Sequence, residues 1–501
     1  MFDFANTHKA VIAHKEILCD NLTPLAVLGG LNAKVLLESA YNETGKDRFS
    51  IVILNEAFRI YKENSIYFLI YQEQKIPLQE ALADYTFLDS LLSSVDKVGF
   101  LESLAFIRTL APNPTDKIPA YLPLPLGGAG YIGYEFFAEI EEVTFSNPPL
   151  YNAPECAFIF GRDFLIFDHL FDRLHIVSVG YAHEKESIDV NERIEHIITR
   201  LQNLPQTSFT PHSVHNADEY IIESATSQSE YEAMVESIKK SIYAGDLLQC
   251  VPSQYMSIRS SLPPLQAYRN LRHQNPSPYM FYYDFDDFII LGASPEIMLR
   301  LKTKQDKSFF TLRPIAGTRP RGESVAQDLE FEKELLNDEK EKAEHLMLLD
   351  LARNDAGKVS VGGGVKVLAR NKIERYSRVM HIVSEVQGEL DSKHFTKNDV
   401  FKSVFPAGTL SGAPKIQAIK TIESLESHAR GIYGGAIGYF TYDEDMDFAI
   451  AIRTAVYQNG IYYMRSGAGI VQDSIPSVEY IETQNKVRSQ LDMLGIQKDK
   501  K

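Results

Sequence analysis

The chain has 501 residues, enough for about three domains or for one large composite core with a smaller companion. With 44% hydrophobic and 24% charged residues, it falls outside the disordered, collagenous and coiled-coil classes. Its 67 acidic side chains outnumber 51 basic ones, and a net charge of -16 repels a phosphate backbone, so no nucleic-acid partner is expected.

The opening residues, MFDFANTHKA, lack the basic start and apolar run of a secretory signal, and no stretch of about 18 apolar residues follows anywhere. The expectation is a cytoplasmic protein with no membrane partner. Cys19, Cys156 and Cys250 are too few and too scattered for a disulfide framework or a thiolate cage, which fits a reducing compartment. Tryptophan is absent.

Residues 48–54, 58–72 and 157–160 are rich in aromatic and β-branched side chains and predict strands, while 191–204 predicts a helix. The polar, Pro-bearing stretch 203–217 is the expected boundary between an N-terminal mixed lobe (1–205) and a C-terminal lobe (216–497). Beyond it, Met234, Val235, Ile238 and Ile242 keep helical spacing, with Ser229 as the expected N-cap and Gly245 near the stop. A buried strand at 247–251 follows, and further strands are predicted at 288–293, 309–315, 435–440, 448–456 and 461–471. Long polar helices are predicted at 327–355 and 477–495. Hairpin-linked strands with separate helices point to an α+β fold, since a parallel α/β sheet would alternate strictly.

Within these elements, Glu341 and Glu344 share one helix face, and so do Glu479 and Glu482. Taken singly, each pair reads as a solvated surface. If the four converge, their repulsion calls for a hard cation, and carboxylates without Cys or His partners suit Mg²⁺. Gly467, Ala468 and Gly469 follow a strand and either form a tight turn or offer backbone N–H groups to an anion. The run 362–364 lacks the phosphate-loop pattern and reads as a hairpin turn. Arg453, in a strand that reads as buried, needs an anionic partner, and a substrate carboxylate would serve; Lys486 is a second cation in a helical context. His381 lies between strand-like apolar residues, as a core histidine or a catalytic one. Glu296 follows a small-residue turn, from which a carboxyl of raised pKa could donate a proton.

Ten motifs, in order, resemble the chorismate-utilising enzymes, anthranilate synthase component I above all: LLES (36–39), NPSPYMFY (275–282), GASPE (292–296), RPIAGTRPRG (313–322), AEHLMLLDLARND (343–355), VMHIVSEVQG (379–388), FPAGTLSGAPK (405–415), YGGAIGYF (433–440), AIRTAV (451–456) and GAGIVQDSIPSVEYIETQNK (467–486). The resemblance implies large antiparallel sheets packed as a sandwich with flanking helices. It also implies conversion of chorismate and ammonia to anthranilate and pyruvate with Mg²⁺, in a hetero-oligomer whose glutamine amidotransferase subunit supplies the ammonia. On that resemblance Glu344 and Glu482 hold the metal, supported by Glu341 and Glu479. Thr409, Tyr433, Arg453, Gly467, Ala468, Gly469 and Lys486 match substrate-binding positions, Glu296 the general acid, and His381 the group assisting ring-proton removal.

Two positions choose among relatives. Gln249 stands where water-adding relatives carry a lysine base, which ammonia does not need. Ala316 stands where aminodeoxychorismate synthase component I, the alternative enzyme, has a nucleophilic lysine. A non-catalytic, tryptophan-binding relative is the other alternative, and the retained Glu296, His381 and four glutamates argue against it. The resemblance places an inhibitory tryptophan pocket at Glu38, Ser39, Pro276, Ser277, Tyr279 and Met280, although residues 40–50 depart from the family form. Tyr255 departs too, replacing an arginine. The surroundings of Cys250 do not form the sharp glycine-flanked turn of an amidotransferase nucleophile.

Overall fold

The computed structural model describes residues 8–40, 48–81, 99–204, 220–376 and 379–496. Most of the expected boundary stretch, 205–217, and much of the 40–50 departure lie outside these residues. Among the described residues, 21 strands join one antiparallel hydrogen-bonded network, and two more form a short separate ladder.

Two long strands, Phe49–Glu63 and Cys156–Asp168, pair along nearly their whole length but change other partners half-way. One half of Phe49–Glu63 pairs with Val35–Glu38 and the other with Ile66–Tyr71. Cys156–Asp168 likewise divides between Ala129–Ile132 and Arg173–Gly180. Register shifts between Ile53 and Phe58 bend the pair at the division. Two sheets therefore diverge from a shared corner. One continues through Val35–Glu38, Tyr279–Asp284, Ile289–Ser294, Thr454–Gln458, Ile461–Gly467 and Ser253–Ser260. The other continues through Ala129–Ile132, Ala436–Phe440, Met446–Ile450, Ile297–Lys304, Lys307–Leu312 and Val379–Glu389.

Alternation assigns the faces. Val35, Ile51, Tyr283 and Ile290 enter the core between the sheets together with Phe158, Phe448 and Phe310. Their neighbours Leu36, Val52, Tyr282 and Leu291 face the other way, under helices Pro24–Leu31, Val190–Gln202, Pro264–Gln274 and Pro476–Met493. Both faces of this sheet are buried, which is why its strands read as continuous apolar runs. This is the expected α+β architecture of antiparallel sheets with flanking helices.

Several predicted elements are subdivided. The 448–456 run splits into Met446–Ile450 and Thr454–Gln458, which lie in different sheets, so Arg453 is not in a strand; it sits on the crossing with φ 52°. The 309–315 run divides similarly, into Lys307–Leu312 and Ile315–Pro320. The helix predicted at 327–355 breaks at Asp338, whose carboxylate accepts from the Lys340 and Glu341 amides and starts a new helix, Glu339–Gly357. Ser227, not Ser229, caps Gln228–Ala244, because Glu230 completes a reciprocal capping box with it; Gly245 ends that helix at φ 86°. The strand expected at 247–251 is only Gln249–Cys250, paired with Gly412–Ala413. All three cysteines are free and buried. Among the described residues no helix is long and apolar enough to cross a membrane.

Candidate active site

The chain crosses from one sheet to the other at two neighbouring places, and both carry predicted site residues. Glu296 lies between Ile289–Ser294 and Ile297–Lys304; Arg453 lies between Met446–Ile450 and Thr454–Gln458. Backbone bonds Ile450 N to Glu296 O (3.0 Å) and Ala293 N to Arg453 O (3.2 Å) tie the crossings together. A strand that changes sheets frees its side chain from the pleat, which is how this corner presents a carboxyl and a guanidinium to one space.

Glu296 is buried, and its Oε1 accepts from Thr409 Oγ1 at 3.0 Å. Burial raises its pKa to about 8, although the Thr409 bond and the charges of Arg453 and Lys486 pull the other way. The carboxyl is therefore protonated at neutral pH. Burial also holds the Arg453 guanidinium below its ordinary pKa, with Tyr433, Glu296 and Glu482 as its electrostatic neighbours.

His381 pairs across strands with Thr318. Its Nδ1 is 3.0 Å from both the Gly317 carbonyl and Thr318 Oγ1. A carbonyl only accepts, so Nδ1 carries the hydrogen and Nε2 keeps its lone pair. Burial lowers the pKa to about 4, which leaves the ring neutral. The same strand that supplies Gly317 carries Ala316, opposite Ile382.

Residues 467–469 do not have the left-handed backbone of an anion-cradling turn, since none of them has positive φ. Glycine is required there for close approach. A Cβ on Gly467 would stand 2.6 Å from Pro252 O and 3.1 Å from Tyr433 Oη; one on Gly469 would stand 2.5 Å from Gln249 Nε2 and 3.5 Å from Glu344 Oε1. Gln249 Nε2 donates to Glu344 Oε1 at 3.3 Å. Lys486 Nζ donates to Gly467 O at 2.9 Å and pairs with Glu482 at 2.7 Å. Gln249, Tyr433, residues 467–469, Glu344, Glu482 and Lys486 thus form one contiguous group.

The four glutamates share a neighbourhood. Glu344 is held above the ordinary carboxyl pKa by burial first and then by Glu341 and Glu482; Glu479 rises through burial and Glu482. Glu341 is also raised by burial, against Arg319, whose guanidinium lies 3.4 Å away. Glu482 itself is exposed. Among the described residues no three His, Cys, Asp or Glu side chains form a ready-made metal cage. Glu344 and Glu479, held up by burial and by acidic neighbours, nonetheless belong to a donor set that a hard divalent cation would relieve.

Some contributors escape sequence reasoning. Tyr231 is wholly buried, and its hydroxyl has no hydrogen-bond partner among the described residues; it approaches the Ala468 backbone with Glu479 and Tyr433 as electrostatic neighbours. Thr318 and Arg319 fix His381 and Glu341 from the strand Ile315–Pro320. Only the capped helix that carries Tyr231 left a local signal.

The expected tryptophan positions also lie together, away from this centre. Met280 pairs with Glu38, and Ala40 N donates to Ser277 O at 3.1 Å. Glu38 is already held by Arg272 at 2.8 and 2.9 Å and by the Tyr268 hydroxyl at 3.2 Å. Tyr279 Oη donates to Asp447 at 2.6 Å. Ser39 and Pro276 flank the same strand pair and are partly exposed. Tyr255, the other departure, packs its ring against His428 and beneath the Arg465 guanidinium.

Residues 66–492 match the chorismate binding enzyme family. Anthranilate synthase component 1 of Neisseria meningitidis serogroup B is 45% identical over 383 residues, covering 75% of this chain and 76% of that protein. The Spirochaeta aurantia protein of the same name is 36% identical, covering 95% and 94%. The crystal structure of anthranilate synthase component I from Streptococcus pneumoniae TIGR4 superposes with a TM-score of 0.75 at 32% identity, covering 95% of this chain and 98% of that one. Sequence and fold agree that the chain is an enzyme belonging to the chorismate binding enzyme family, within its anthranilate synthase component I branch.

Proposed function

We propose that the chain converts chorismate and ammonia to anthranilate, pyruvate and water. The observation that carries this reading is the buried, protonated Glu296 bonded to Thr409 and set beside Arg453. A dianionic substrate gains no long-range attraction from a chain of charge -16, so binding falls to local groups: Arg453, Lys486 and the backbone at 467–469. Glu341, Glu344, Glu479 and Glu482 would hold Mg²⁺ directly or through water. When bound, the ion would polarise a substrate carboxylate and help bind it.

In the first step ammonia adds to the ring and Glu296 gives its proton to the departing hydroxyl, which leaves as water. In the second step a ring proton is removed, pyruvate leaves and the ring becomes aromatic. His381, with Nδ1–H fixed on Gly317 O, offers the Nε2 lone pair for that proton. Gln249 has no basic atom for activating water, which favours the amine branch, and Ala316 has no amine to attack the ring. A separate glutamine amidotransferase subunit would supply ammonia, giving a hetero-oligomer. Residues 1–205 would contribute the tryptophan-inhibition site and 216–497 the catalytic lobe.

The test is chorismate consumption by the pure chain. Anthranilate should form with Mg²⁺ and ammonium, stop on chelation, and fail to form when glutamine replaces ammonium. Glutamine-dependent product from the pure chain, or chorismate loss without anthranilate, would refute the reading.

A further inference from the structure

A cavity of about 50 Å³ lies behind Glu296. Glu296 and Thr409 form one wall; Leu348, Leu351 and Ala352 of the helix Glu339–Gly357 form another. Arg453, His381, Lys486 and residues 467–469 take no part in its lining. The cavity therefore reaches the Glu296 carboxyl from a side other than the substrate groups.

Two further polar residues, Arg313 and Asp355, also line it. In Arg313 the terminal nitrogen is bonded to Glu374, but the buried Nε has no hydrogen-bond partner among the described residues, the nearest acid being Glu385 at 3.7 Å. Asp355 is gripped by Lys358 at 3.0 Å and Lys415 at 2.9 Å. Asp355 is buried, but its partner Lys358 is half exposed and links it to the protein surface. A space of this size holds about three waters, and the carboxyl, the Thr409 hydroxyl, the orphan Nε–H and Asp355 supply the polar contacts they need.

We propose that this cavity is the route by which Glu296 regains its proton from solvent in each turnover. The inference rests on the reading of Glu296 as general acid. When Glu296 protonates the departing hydroxyl, its O–H bond breaks, a new O–H bond completes a water molecule, and a carboxylate remains. A hydronium proton entering near Asp355 passes along the cavity water, and the Glu296 O–H bond re-forms; no other reactant is consumed. The charged or titratable groups facing Glu296 elsewhere are Arg453, Lys486 and Tyr376, none of which lines the cavity.

The experiment fills the cavity without touching the acid. Ala352→Leu, which keeps a good helix former, and Ala407→Val, on the opposite wall, should each lower kcat about tenfold. The KM values for chorismate and ammonium should hold, and kcat should slow more in D₂O than it does for the parent enzyme. Ala352→Ser, which leaves the space nearly unchanged, should behave as the parent. A raised KM for ammonium with kcat intact would show instead that the cavity admits the nucleophile, and unchanged kinetics in both filled variants would likewise overturn the proposal. Glu296→Gln separates the two readings. If it is inactive while the filled variants are normal, only the return route fails; if it turns over normally, the general-acid reading fails as well.

Discussion

At the scale of single residues, the proposed chemistry rests on two groups, Glu296 and His381, whose pKa values burial shifts in opposite directions. Glu296 is raised to about 8 by burial, so the folded protein keeps a proton that the unfolded chain loses near 4.5. Two consequences follow with the same sign: turnover by the acid falls as pH rises through about 8, and this group's contribution to stability declines between those two pH values. Glu296→Gln should lower kcat by at least about a hundredfold, remove the alkaline limb of the pH–rate profile and flatten the corresponding slope in Tm against pH. An alkaline limb persisting in the glutamine variant would assign it to another group. His381, neutral above about pH 4, makes its own prediction. His381→Ala should let the aminated ring that still carries its enolpyruvyl ether accumulate, visible by rapid quench and chromatography; undiminished anthranilate formation would remove His381 from the second step. The sequence singles out both residues because each sits in a distinctive local motif. It does not single out Tyr231, Thr318 and Arg319, since each acts through a partner far away in the chain, and no spacing rule reports such a meeting.

At the scale of elements, the instructive failures are the runs that looked continuous. Residues 448–452 and 455–456 are apolar because both sheets are buried, so nothing in the pattern except Arg453 and Thr454 marks where the chain changes sheets. The break is what takes Arg453 out of the strand and sets it beside Glu296 at the sheet crossing. The helix break at Asp338 was hidden for a different reason: Asp is common on helix surfaces, and only its bonds to the Lys340 and Glu341 amides reveal a cap. That cap puts Glu341 in a first turn, where it faces Arg319. At residues 467–469 it is close packing, not left-handed backbone, that calls for small residues. Gly467→Ala puts a Cβ 2.6 Å from the fixed Pro252 carbonyl and against the Tyr433 hydroxyl. The strand must yield, at about 1–3 kcal/mol, and chorismate KM should rise as Lys486 loses its grip on Gly467 O. A variant with parental Tm and KM would show that this backbone has slack.

At the scale of the whole molecule, the sheet whose strand Ile289–Ser294 runs up to Glu296 also passes through the expected tryptophan region. Val35–Glu38 pairs with Tyr279–Asp284, which pairs with Ile289–Ser294, and Glu296 follows two residues later. The order of these strands depends on one pairing more than two hundred residues apart, Glu38 with Met280, which no local pattern encodes; the α+β class was readable and the path between sites was not. If tryptophan binds beside Ser39 and Ser277, it binds one rigid ladder away from the general acid, and a shift of Tyr279–Asp284 reaches Glu296 through backbone bonds alone. Binding must first be shown independently of catalysis. A ligand at about a hundred times its Kd stabilises the folded state by about 2.7 kcal/mol, so L-tryptophan should raise the Tm of the chain measurably. Ser39→Phe, which fills the partly exposed end of the strand pair, should abolish both that rise and any inhibition of anthranilate formation. A tryptophan-induced rise that survives in Ser39→Phe would place the effector elsewhere, and with it the coupling through this ladder.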